Sequence, residues 1–166
     1  MAIIVEDGSI VAGANSYITI AGLVDFLDNY DINLPNNIHD QAHLLQAKDV
    51  LESLWAQYKG EMVDPATQSL QWPRKNADLF GELIPETTIP QRLIDAQCWL
   101  AYYDHIGYTL EAISNGKIVL REKVDVIERE YADQGTSLAQ PIFKKVDNLL
   151  APLLNPSSLT LTTIRV

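Results

Sequence analysis

Apolar and polar positions along the chain fall into helical and strand-like periods, separated by loops rich in Gly, Pro and Asn. Residues 2–5 are a short apolar run closed by Asp7-Gly8, which predicts a strand and a turn. Ser16 or Thr19 is placed to cap a helix over about 20–29, with Leu23, Phe26 and Leu27 on one face. The strongest helical signal covers about 38–58. There Leu44, Ala47, Leu51, Leu54/Trp55 and Tyr58 recur at steps of three and four, and Gly60 ends the run. About thirty residues follow with Pro65, Pro73, Pro85 and Pro90 and little periodicity, a length that marks a functional loop.

Pro90 suits the first turn of a helix over about 91–104, apolar on most sides and therefore central. Residues 117–131 are rich in β-branched residues and alternate in part, which predicts a β-hairpin breaking near 123–125. A last helix is expected over about 141–153, with Phe143, Val146, Leu149 and Leu150 as its apolar face. Pro156-Ser157-Ser158 stops it, and the remainder alternates with one slip at Thr162-Thr163, as a strand-like arm would. That arm pairs either in its own sheet or with another subunit by strand addition, or it frays. The pattern thus predicts a mainly helical α+β fold: a four-helix core, a hairpin and a C-terminal arm. It forms one domain over 1–156 with the arm at 157–166, and Leu51, Trp55, Trp99, Leu100 and Leu149 are the expected core.

Composition narrows the function. The 166 residues are 47% hydrophobic, enough for one well-packed domain. The net charge is −10, and residues 1–58 carry eight acids against the single base Lys48. Such a balance argues against a free-standing nucleic-acid binder, whose affinity comes from neutralising phosphates. One cysteine excludes a disulfide framework. No apolar run reaches the roughly 18 residues of a membrane span, and residues 1–7 lack the basic start of a signal peptide. A soluble, intracellular protein with no membrane partner is expected.

Few residues suggest chemistry. Gly8-x4-Gly13 has the glycine spacing of a phosphate loop, but Ala14-Asn15 stand where Lys-Ser/Thr is needed. His39 and His43 share a helical face and could chelate zinc with His105 or a carboxylate as third ligand, which would make a hydrolase. An exposed helix start, where polar residues are normal, is the reading these residues favour, and no metal is expected. Cys98 lies in an apolar helix, as an inert thiol does. Glu128 and Glu130 share one strand face, a commonplace arrangement. No catalytic set emerges, so neither enzyme activity nor a cofactor is expected. Trp72, Pro73 and Arg74 combine a rigid aromatic, a fixed turn and a planar cation. They serve either local packing, a protein interface, or stacking on single-stranded nucleic acid. Leu159, Leu161, Ile164 and Val166 are the interface candidates of the arm.

Several segments taken in order are familiar together: Glu6-Asp7-Gly8, then Gly13-Ala14-Asn15-Ser16-Tyr17, Leu70-Gln71-Trp72-Pro73-Arg74, and Ile84-Pro85 with Ile89-Pro90. Glu130-Tyr131-Ala132 and the stretch from Val146 to Leu154 complete the set. On these, nearly the whole chain resembles a tailed-phage family described as DnaT-like single-stranded DNA-binding proteins, similar to head–tail connector (adaptor) proteins of the phage neck. The resemblance implies a structural virion protein at the head–tail interface, made in the host bacterial cytoplasm. It would form a homo-oligomeric ring of about twelve subunits below the portal. Its partners would be the portal protein, a tail or neck completion protein, and double-stranded DNA passing through the lumen without specific binding. The acids Asp25, Asp28 and Asp31 would then be candidates to face lumen or solvent, and the 157–166 arm would reach the portal. The alternative is a single-stranded DNA-binding or replication-accessory protein, which the acidic composition does not favour.

Overall fold

The computed structural model describes residues 2–32, 41–108, 110, 118–123, 128–132 and 143–156, the stretches between 118 and 132 as backbone. Thr19 caps α1 (Ile20–Asp28), its hydroxyl oxygen accepting from the Gly22 N–H at 3.0 Å. α2 (Gln41–Ser53) buries Leu44, Ala47 and Leu51 on one stripe. Two short antiparallel pairs follow, β1 (Glu61–Met62) with β2 (Arg74–Lys75) and β3 (Asp78–Leu79) with β4 (Glu82–Leu83). α3 (Gln91–His105) comes next, then the hairpin of β5 (Ile118–Lys123) and β6 (Glu128–Ala132). α4 (Lys144–Leu150) runs into a 3-10 turn at Ala151–Leu153. The fold is α+β and mainly helical.

α3 is the hub, because α1, α2 and α4 all pack on it. Leu93, Ala96, Gln97, Cys98, Trp99, Leu100 and Ala101 are buried there, as expected of a helix apolar on most sides. Gln97, fully buried, ties three elements together. Its Oε1 accepts from the Tyr17 N–H at 2.9 Å, and its Nε2 donates to Ser16 Oγ at 2.9 Å and Leu44 O at 3.0 Å.

The end of α2 departs from the pattern. The helix stops at Ser53, and the N–H groups of Leu54, Trp55 and Gln57 donate to carbonyls three residues back. These tighter turns advance the chain faster than the 3.6-residue period. Trp55, an expected core residue, is therefore 64% exposed, while Tyr58 is buried and donates from its hydroxyl to Leu51 O at 3.1 Å. Leu51, Trp99 and Leu100 are buried as expected, whereas Leu149 is only half-buried beside buried Val146 and Leu150.

The expected strand at 2–5 reduces to one parallel bridge between Val5 and Ser16. The loop after it wraps around a buried carboxylate. Glu6 Oε1 accepts from the N–H groups of Gly8 (2.9 Å) and Ile10 (3.0 Å), and Oε2 from that of Val11 (2.8 Å). Gly8 lies at φ +100, where a Cβ would stand 2.0 Å from Thr87 O, so only glycine fits. The far end of the described chain closes on the segment after α2. Leu154 bridges Tyr58, the Asn155 N–H donates to Gln57 O at 2.8 Å, and Asn155 Nδ2 donates to Tyr58 O at 3.1 Å.

In the β5–β6 hairpin the register sets Arg121 opposite Glu130, Glu122 opposite Arg129 and Lys123 opposite Glu128. Each charged position there faces one of opposite sign.

Candidate functional site

The Trp-Pro-Arg tripeptide packs inward. Trp72 is fully buried, its ring edge-on to Tyr58 at 5.8 Å, and the peptide to Pro73 is cis. Arg74, 6% exposed, donates from Nε to Lys59 O and from Nη2 to Gly60 O, both at 2.8 Å. An interface anchor has to be reachable, so Trp72, Pro73 and Arg74 serve the loop's own packing, the alternative the sequence left open. Asp25, Asp28 and Asp31 are exposed on α1 and the turn after it. Leu159, Leu161, Ile164 and Val166 lie outside the described residues.

The other sequence candidates acquire structural roles. The loop amides that a phosphate would need at Gly8, Ile10 and Val11 are already occupied by Glu6. His39 lies outside the described residues. His43 Nδ1 meets Asp104 Oδ2 at 2.6 Å, and its ring packs on His105 at 5.3 Å, which links α2 to α3. Among the described residues no three His, Cys, Asp or Glu side chains are grouped to hold a metal ion. Burial pushes the Cys98 thiol up to about 12, so it stays protonated and unreactive near neutrality.

What the fold does assemble is a ridge of linked aromatic rings. Phe26 and Tyr30 lie four residues apart at the end of α1, and Trp99, Tyr102 and Tyr103 share one side of α3. Tyr30 meets Phe26 at 5.3 Å and Trp99 at 5.0 Å between centroids. Trp99 meets Tyr102 and Tyr103, each at 6.0 Å, and Tyr103 reaches Tyr108 at 6.1 Å and Phe143 at 5.8 Å. Gly107 at φ +94 folds the chain back behind α3, letting the Tyr108 N–H donate to Tyr103 O at 3.0 Å. Most contacts are edge-on, the geometry that ring quadrupoles favour.

The ridge has a buried floor and open ends. Trp99 is 6% exposed, while Tyr30 is 51% and Tyr108 41% exposed. α4 lays Lys145 across the floor, its Nζ 3.3 Å from the Trp99 centroid and 4.7 Å from that of Tyr30. Among the described residues no carboxylate pairs with Lys145. Desolvation against the rings lowers its pKa from the ordinary lysine value, and burial raises that of Tyr103. Lys144 is exposed beside it. Exposed ring faces next to an unpaired ammonium can take a planar group together with an anion. The signal available in the sequence was the spacing of aromatics at Phe26/Tyr30 and Trp99/Tyr102/Tyr103, which runs of apolar residues do not reveal.

No curated protein and no solved structure matches the chain. A family model does, over residues 1–166, and its description is "Putative DnaT-like ssDNA binding protein". This match overturns the head–tail connector reading. It points to single-stranded DNA as the partner, and nothing in it points to a ring below a portal, to portal and neck partners, or to passive passage of double-stranded DNA. The virion location rested on that same reading. The chain belongs to the DnaT-like single-stranded-DNA-binding family.

Proposed function

We propose that this protein binds single-stranded DNA on the aromatic ridge between α1, α3 and α4, and that it works by binding rather than by catalysis. The observation that carries this reading is Lys145, a cation that the described carboxylates leave unpaired, set 4.7 Å from the ring of half-exposed Tyr30 at one end of the ridge. Unpaired bases stack on aromatic faces whatever their sequence, and a neighbouring ammonium meets the phosphate. The family description supports the same partner.

Fluorescence anisotropy with a labelled oligo-dT is the direct test. The wild-type protein binds at low salt, and Tyr30→Ala weakens binding by about 1–3 kcal/mol, the worth of one stacked base. Lys145→Gln weakens it as well. Absence of binding by the wild type at low salt, or full affinity in Tyr30→Ala, overturns the proposal.

A further inference from the structure

The tip of the β3–β4 hairpin carries an aromatic residue where the backbone does not favour one. The register pairs Leu79 with Glu82, so Phe80 and Gly81 alone make the loop, with φ +56 and +91. A two-residue loop with positive φ at both positions normally takes Asn-Gly, because a bulky side chain is strained in the left-handed region. Burial does not offset the strain, since Phe80 is 74% exposed. The hairpin beneath is held firmly. Lys59 Nζ donates to Asp78 Oδ2 at 3.0 Å, the Gly81 N–H donates to the same oxygen at 3.2 Å, and the Ile84 N–H donates to Ala77 O at 2.9 Å. A strained, exposed ring on a fixed support is a feature that function explains better than stability does.

Two neighbours say what the ring receives. The Arg92 guanidinium carbon stands 5.3 Å from the Phe80 centroid, and among the described residues Arg92 has no ion pair or hydrogen bond. Beside it opens a cavity of about 450 Å³ with apolar walls from Leu79, Leu83, Ile84, Pro85 and Pro90. Glu82 is the one carboxylate on that lining, so an anion approaches from the Arg92 side.

We propose that Phe80, Arg92 and this cavity form a second platform for single-stranded nucleic acid, with a base stacked on Phe80 or seated in the cavity and its phosphate on Arg92. The inference rests on the single-stranded DNA reading and adds a contact remote from the aromatic ridge. An apolar peptide would use Phe80 and Leu83 but would leave the free guanidinium unanswered. A nucleotide uses both, its flat apolar face on the ring and its anion on the planar cation.

The test uses the full chain, labelled oligo-dT and the variant Phe80→Asn, with Phe80→Trp as the conservative control. Asparagine suits positive φ, so Phe80→Asn folds and melts no lower than the wild type. It is expected to bind oligo-dT roughly 5- to 150-fold more weakly, the fold-change of one lost stack, while Phe80→Trp keeps affinity. Wild-type affinity in Phe80→Asn overturns this inference and leaves the ridge reading intact. A changed oligomeric state in Phe80→Asn with unchanged DNA affinity also overturns it and assigns the tip to a protein contact. If the wild type binds no oligo-dT, both readings fail together.

Discussion

Gln97 shows how much one buried amide holds. It answers the Tyr17 N–H, the Ser16 hydroxyl and the Leu44 carbonyl from the middle of α3. Gln97→Met keeps the volume but strands these partners, so it is expected to destabilise the fold by about 2–4 kcal/mol in denaturant unfolding. A loss under half a unit would show that water replaces the amide freely. Glu52 makes a different prediction. Its carboxylate accepts from the Tyr17 hydroxyl at 2.6 Å and from the Gln71 N–H at 2.9 Å, yet burial dominates and raises its pKa. The folded state then holds a proton that the unfolded chain has already released, so this group's contribution to stability falls as pH rises from the ordinary carboxylate value through the raised one. The stability of the wild type minus that of Glu52→Gln should decrease across that window. A difference that stays flat or increases with pH sinks the assignment. At this scale the sequence was only partly legible. Trp72 has the residue type of an interface anchor, and the contact that buries it comes from Tyr58, fourteen residues away and invisible to local pattern.

Among the elements, the helices were the readable part. α1 and α3 lie within a residue of their expected spans, because amphipathic spacing and the Thr19 cap are written locally. The two-residue strands β1–β4 were not readable. Strands so short have no period of their own: β1–β2 is tied by Arg74 donating to Gly60 O, and β3–β4 by the Phe80-Gly81 turn and the Asp78 contacts. The phase error at the end of α2 has a measurable consequence. Trp55→Ser should change stability by no more than about 0.5 kcal/mol, as an exposed substitution does. Trp99→Ala, which removes the floor of the ridge and its contacts with four rings, should cost about 3–5 kcal/mol. Equal losses in chemical denaturation would mean that Trp55 is covered in solution. The ridge itself was half legible. Aromatic spacing along α1 and α3 was available, but the approach of Lys145 from α4 depends on helix packing that no local pattern encodes.

For the whole molecule, a net charge of −10 opposes any polyanion at long range. Affinity must therefore come from stacking, with few phosphate contacts. For Lys144, Lys145 and Arg92, the slope of log affinity against log salt should be no steeper than about −2.1. Duplex of the same sequence offers no free base faces and should bind at least about tenfold more weakly than the single strand. Equal affinity for duplex, or a slope several times steeper, would indicate a basic surface beyond these three cations.

The closure of Asn155 onto Tyr58 spans 97 positions of sequence. Lys145 and Phe143 reach the ridge only with the helix that this closure anchors. A nascent chain leaving the ribosome thus carries α1 to α3 with Trp99 uncovered until residue 155 has emerged, since segments fold in the order they are made. The surface proposed to hold a strand is therefore completed only after residue 155 has been made, and until then Trp99 lacks the cover of α4.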